Sequence, residues 1–153
     1  MKNLWNGDYL PKDTVSPQHF IQKQCDYLRQ KTNGKIIAKV VEQKKPSDKL
    51  VESDSPEKLN FEFFLSSKNT PNFRYRVLKL SHSIPIFPIK ITVSLEIARE
   101  LIVFQDPVPT FTGEKICQDQ SEFEEYLEEI LNSKVVTDVI NSLLVFNIDD
   151  SEI

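Results

Sequence analysis

Two neighbouring segments of alternating polarity constrain the fold of this chain more than any other feature. In LNFEFFLSS, residues 59–67, every second side chain is apolar at the start, as in a β-strand with one buried face. KNTPN, residues 68–72, leads directly into NFRYRVLKLSH, residues 72–82, with Asn72 common to both. This linker fits a hairpin loop and is too short for a parallel crossover, so the sequence predicts an antiparallel pair. Regular alternation places five side chains on one face of the second strand: Arg74, Arg76, Leu78, Leu80 and His82.

Helix signals lie on both sides of these strands. SPQHFIQKQCDYLRQKTNG offers Ser16 as an N-cap and Pro17 at the favoured first helical position. Its apolar stripe consists of Phe20, Ile21, Cys25, Tyr27 and Leu28. DQSEFEEYLEEILNS is a second predicted helix, in which Ser121 and Glu124 have capping-box spacing. KVVTDVINSLLVF, residues 134–146, is predicted as a third helix, with Ser133 as its candidate N-cap.

The remaining segments complete a predicted α+β fold. KIIAKVVEQ is β-branched and predicts a strand, and another strand begins at IFPIKITV. SLEIARELIVF is compatible with a short helix or with a further strand, and QDPVPTFTGEKIC resembles a loop. The order is therefore one helix, a meandering antiparallel sheet of about four strands, and two C-terminal helices.

The chain length fits one domain. With 153 residues it can bury a hydrophobic core without disulfides or metals. We predict an irregular N-terminal arm over residues 1–15, a single α+β domain over 16–147 and a short acidic tail over 148–153. Trp5 is expected to pack onto the domain; the alternative is an anchor for a partner.

Charge and composition narrow the functional classes. A net charge of −4 disfavours nucleic-acid binding, because non-specific affinity for phosphates requires cationic surface. No signal peptide or membrane span is predicted, so we expect a cytoplasmic protein without a membrane role. Cys25 and Cys117 have no metal-ligand spacing and are expected to be free, partly buried thiols. The Lys-, Asn- and Ile-rich composition is typical of a small bacterial protein.

His82 is the weak candidate for catalysis. It precedes Pro85 and Pro88, which favour a bend or a sheet edge, and we expect it to be half exposed at a strand corner. An enzyme would need His82 beside a carboxylate such as Glu62 or Glu96. Nucleophile-elbow and zinc-protease motifs are absent from the sequence, and we predict no metal site and no cofactor. Enzymatic activity stays open, with a non-enzymatic role favoured.

The preferred hypothesis is a protein that acts by binding another protein, as an adaptor, accessory subunit or immunity-type protein. Six residues are the candidate binding residues: Arg74, Arg76, His82, Trp5, Glu125 and Glu129. The two arginines are expected to lie on a polar face of the sheet, and the two glutamates on an acidic helix. The alternatives are an RNA- or small-ligand-binding sheet and an enzyme based on His82. The oligomeric state is expected to be a monomer or a homodimer, with the two prolines protecting one sheet edge.

Overall fold

The computed structural model describes residues 1–9, 15–44, 58–102 and 113–146. Four helices and five strands lie within these ranges. In chain order they are α1 (Pro17–Lys31), β1 (Ile36–Glu42), β2 (Leu59–Ser67), β3 (Thr70–His82), β4 (Ile89–Thr92), α2 (Leu95–Ile102), β5 (Glu114–Cys117), α3 (Gln120–Leu131) and α4 (Lys134–Val145). The predicted α+β class is confirmed. The acidic tail over 148–153 lies outside the described residues.

The sheet is a meander in which neighbouring strands are antiparallel and follow the order β1-β2-β3-β4-β5. The prediction of about four strands misses β5, which lies in a segment interpreted as a loop. The ambiguous segment before it forms helix α2. Pro85 and Pro88, both preceded by cis peptide bonds, lie in the connection between β3 and β4. These are inner strands of the sheet, so the expectation that the prolines protect an edge is wrong.

Helix α1 begins and ends where the sequence signals it. The Ser16 side chain accepts a hydrogen bond from the His19 backbone N–H at 3.2 Å, and Pro17 is the first helical residue. After the helix, Asn33 and Gly34 adopt φ of 52° and 78°, in the left-handed region that ends many helices. Tyr27 does not belong to the buried stripe, since its side chain is exposed.

The two C-terminal helices are capped by different means. Helix α3 begins earlier than the predicted Ser121 cap, because the Asp119 carboxylate accepts from the Glu122 backbone N–H at 2.8 Å. Helix α4 has the predicted cap, in which the Ser133 hydroxyl accepts from Val136 N–H at 3.2 Å. The Glu100 carboxylate of α2 also accepts from the first two backbone N–H groups of α4, at 2.7 and 3.1 Å. This contact ties α2 to the positive end of α4.

The core lies between one face of the sheet and a layer of helices. Facing residues on neighbouring strands share a face of the sheet, and one face is buried from β1 to β5. Its buried apolar strand residues include Ile36, Ala38, Phe61, Phe63, Leu65, Leu78, Leu80, Ile89, Ile91 and Cys117. From the helices, Ile21 and Phe123 are fully buried in the same cluster, and the rings of Phe20 and Phe123 join α1 to α3. The fold therefore has two layers, with the second face of the sheet directed away from the helices.

A β-bulge changes the face to which the start of β3 belongs. Phe63 faces Leu78, but Phe64 faces Arg76, so Val77 is an additional residue on β3. Val77 and Leu78 are consecutive and both buried. The predicted regular alternation is therefore wrong before Val77. Arg76 lies on the open face, whereas Leu78 and the residues that alternate with it face the core.

Candidate functional site

The open face of the sheet is the candidate site. Its residues form rows across the strands, because each faces its neighbour in the antiparallel register. One row is Lys39, Phe64 and Arg76. A second row is Val41, Glu62, Lys79, Thr92 and Glu114. These side chains are exposed or half-buried, in contrast to the buried residues that alternate with them.

The bulge places the two predicted arginines on this open face, opposite to Leu78 and His82. Arg76 stands beside Phe64 in the register, and the Arg74 guanidinium lies 4.7 Å from the centroid of the Phe64 ring. A guanidinium over an aromatic ring gains a cation–π attraction and loses some of its freedom. Both arginines are exposed. The pair is therefore presented to solvent with one guanidinium supported by the sheet.

Cationic side chains predominate on the open face. We define the cationic face by five residues: Lys39, Arg74, Arg76, Lys79 and Lys90. Lys90 belongs to a third row, with Asn60, Ser81 and Ile116, and the carboxylates among the described residues of the three rows are Glu62 and Glu114. Lys90 and Glu114 form an ion pair at 3.9 Å in which both side chains are partly exposed. The face carries an excess of positive charge although the whole chain has a net charge of −4.

A shallow depression lies at one end of the cationic face. Its volume is about 480 Å³, and its lining includes Glu62, Lys79, Ser81, Lys90 and Thr92. These side chains supply ammonium, hydroxyl and carboxylate groups. Such a lining can hydrogen-bond a polar group that protrudes from a partner. The depression therefore adds a concave polar area to the open face of the sheet.

His82 faces the opposite side of the sheet. Only 6% of it is exposed, so the expectation of a half-exposed corner residue is wrong. Its ring is stacked on Phe61, with centroids 5.9 Å apart and an angle of 20° between the rings. Its Nδ1 lies 2.9 Å from the backbone oxygen of Ser83. Because a carbonyl oxygen can only accept, Nδ1 carries the hydrogen and donates it. Glu62, a proposed catalytic partner, lies on the open face, away from this ring.

Buried titratable groups elsewhere are held in their neutral forms. Cys25 and Cys117 are buried free thiols, as predicted, although their burial is complete rather than partial. Loss of solvation raises the pKa of Cys25 to about 12 and that of Cys117 to about 11. It also raises the pKa of Tyr126 to about 12. A thiol with a raised pKa is a poor nucleophile at neutral pH. Within the described residues, no group of three His, Cys, Asp or Glu side chains is placed to hold a metal ion.

The other predicted binding residues lie apart from the arginines. Glu125 and Glu129 are exposed on α3, in the helix layer on the far side of the sheet. Trp5 is 77% exposed and contacts Tyr9 edge to face, with ring centroids 6.2 Å apart. The expected packing of Trp5 onto the domain is therefore wrong. The six predicted residues do not form one site.

Three cations of the face were missed by sequence reasoning. Lys39, Lys79 and Lys90 come from three different strands, and only the sheet register brings them beside the arginines. A signal was present, since each lysine alternates with apolar residues on its own strand. In the described part of the chain, no helix has the length and apolar character needed to cross a membrane.

Together these features define a two-layer α+β domain with an open cationic sheet face. Comparison of the chain with protein-family models, with curated proteins and with solved structures gives no match.

Proposed function

We propose that the protein is a small cytoplasmic, non-enzymatic module that binds another protein through its cationic face. The observation that supports this most is the concentration of five cationic side chains on one exposed sheet face of a chain whose net charge is −4. A patch of one sign steers a partner of the opposite sign and fixes its orientation. The partner would present an acidic surface, as suits an adaptor, an accessory subunit or an immunity-type protein.

The two arginines are the strongest contact residues of this proposal. A guanidinium binds a carboxylate through two parallel hydrogen bonds, which a lysine ammonium cannot do. The ring of Phe64 supports Arg74 in the unbound protein. A side chain that is already ordered loses less entropy on binding, so more of its interaction energy contributes to affinity.

The test compares two variants that change the net charge equally. Arg74→Glu/Arg76→Glu reverses the charge of the cationic face, and Lys23→Glu/Lys31→Glu reverses two exposed charges on α1. Each protein is used to capture partners from a native-cell lysate, followed by mass spectrometry and by titration with the purified partner. We expect a stoichiometric partner that the sheet variant loses and the helix variant retains.

Thermal unfolding of the same variants separates binding from folding. The arginine variant loses an exposed cation–π contact, which costs about 0.5–1 kcal/mol and lowers the Tm by only a few degrees. Equal loss of the partner in both variants would indicate non-specific charge attraction. Full retention by the sheet variant would exclude the cationic face as the binding surface.

A second candidate function is binding of single-stranded RNA by the same face. The observation that favours it is the Arg74–Phe64 stack amid further cations, since such faces hold bases and phosphates in other sheets. A fluorescent uridine oligonucleotide tests it at about 50 mM salt and above. Binding that weakens steeply with salt and is lost in the arginine variant would support RNA recognition. Absence of binding at low salt would exclude it. The contacts of His82 give no support to an enzyme, which we do not propose.

A further inference from the structure

A second surface, separate from the cationic face, is an apolar groove beside α4. Its volume is about 480 Å³, and it lies between the β2–β3 hairpin, the first turn of α2 and one flank of α4. Its apolar lining consists of Phe73, Val135, Val139, Leu143 and Phe146. Phe73 and Phe146 are 52% and 60% exposed, although they are large apolar side chains. Clustered exposed apolar residues of this kind mark interaction sites.

The shape of the groove follows α4 along most of its length. Val135 and Val139 of α4 lie on one stripe with Phe146, the residue at its C-cap, and this stripe spans about 16 Å at 1.5 Å per residue. The hairpin is fixed to the end of this stripe, because the Asn69 side-chain amide donates to the Phe146 carbonyl oxygen at 2.8 Å. Glu100, one turn after Glu96, caps the other end of α4. A groove about three turns long between fixed walls suits a helix laid alongside α4.

The polar lining of the groove is acidic. Glu96 and Asp138 are both exposed carboxylates, and no cationic side chain lies among the described lining residues. The remaining polar lining residues are Thr70 and Ser142. The Thr70 hydroxyl is buried, so it offers no polar contact to an occupant of the groove. An occupant that matches this lining is apolar on one side and cationic at its border.

We propose that the groove binds an amphipathic, basic helix of a partner protein. The apolar residues of that helix, spaced at i, i+3 or i+4 and i+7, pack against the stripe of α4 and against Phe73. Its lysines or arginines meet Glu96 and Asp138. The segment that follows Phe146 in this chain is a poorer match, because residues 149, 150 and 152 are acidic and are repelled by the same carboxylates.

The experiment uses two synthetic helical peptides with the same apolar stripe. One carries lysine and the other glutamate at the polar positions. Binding is followed by fluorescence anisotropy, and the contact surface is mapped by amide chemical-shift changes. We expect the lysine peptide to bind about tenfold or more tightly than the glutamate peptide, with shifts centred on Val139 and Phe146.

Variants on neighbouring positions of α4 provide the matched control. Ser142→Arg places a long cation in the groove, and Asn141→Arg places the same cation on an exposed position that does not line it. We expect Ser142→Arg to lower the affinity for the lysine peptide about tenfold and Asn141→Arg to have little effect on it. Asp138→Lys leaves one carboxylate and one ammonium in the lining, so it is expected to remove most of the preference between the peptides.

Several outcomes would overturn the proposal. These are equal affinity for both peptides, equal effects of Ser142→Arg and Asn141→Arg, or shifts located outside the groove. Self-association that Ser142→Arg abolishes would assign the groove to a second copy of the chain. A tenfold gain in affinity on deletion of residues 147–153 would assign it to the chain's own C-terminal segment. Because the cationic face is unchanged in these variants, the result does not depend on the function proposed above.

Discussion

Replacement of His82 by two different residues tests its structural role directly. The ring makes two separable contacts, the stack on Phe61 and the hydrogen bond from Nδ1 to the Ser83 carbonyl. His82→Phe keeps a ring for the stack and removes the donor. His82→Asn keeps an amide donor at about the position of Nδ1 and removes the ring. If both contacts stabilise the fold, each variant loses one of them.

The two variants should lose different amounts of unfolding free energy, because the two contacts differ in burial. The hydrogen bond to Ser83 is only partly buried, so its loss in His82→Phe costs about 0.5–1.5 kcal/mol. The ring is almost fully buried. Its loss in His82→Asn removes a stack worth about 0.5–1.5 kcal/mol and leaves a cavity, for a total of about 2–3 kcal/mol. At about 2–4 °C per kcal/mol, His82→Asn lowers the Tm by about 4–12 °C.

Urea unfolding and thermal unfolding measure both effects. Combination of His82→Asn with Phe61→Leu in a double-mutant cycle isolates the ring contact, and we expect a coupling energy of about 0.5–1.5 kcal/mol. A His82→Asn protein as stable as the wild type would refute this reasoning. So would variants that fold normally but lose partner binding, because that result would make His82 a functional residue.

Two further predictions concern pH and backbone geometry. Because burial raises the thiol pKa of Cys25 and Cys117 to about 12 and 11, their contribution to stability is complete below the ordinary value of 9.0 and is lost as pH rises through those folded values. Urea unfolding midpoints should therefore fall above pH 9, and a Cys25→Ala/Cys117→Ala variant should show a smaller fall. At Gly113, φ is 73° and an added Cβ would lie 2.6 Å from the Val93 carbonyl oxygen. An added Cβ at Gly34 meets no atom within 4 Å, so Gly34→Ala should lower the free energy of unfolding by only about 1 kcal/mol, through its φ alone. Gly113→Ala should lower it by more. Equal losses of unfolding free energy would contradict the steric argument.

The fold was predictable where local signals and burial agree. Ser16, Pro17 and Ser133 have the predicted capping roles, because their chemistry acts within one helical turn. The four residues of β5 carry no comparable signal. EKIC has one buried residue, and its strand conformation depends on pairing with β4 across a long separation in sequence. Such a strand is stabilised by tertiary contacts rather than by its own propensity.

The candidate site was predictable only in part. Arg74 and Arg76 were expected to lie on a polar face, but the same alternation placed them beside His82. The additional residue Val77 separates them, and nothing in RVLKL distinguishes a bulge from a regular strand. Likewise the exposure of Trp5 contradicts the expectation from its apolar ring, since burial depends on a surface to pack against and not on the side chain alone.

The net charge of the chain is a poor guide to the charge of its open face. Positive charges collect on the sheet, whereas Glu125, Glu129 and the neighbouring glutamates of α3 lie in the helix layer on the other side of the core. At physiological ionic strength the Debye length is about 8 Å, shorter than the thickness of roughly 10 Å that separates packed layers. A partner at the sheet therefore meets the local excess of cations with the helix charges largely screened. The net negative charge of the chain therefore does little to disfavour an anionic partner on this face, whether protein or RNA. The salt dependence of binding reports the charge of the face and not the net charge of the chain.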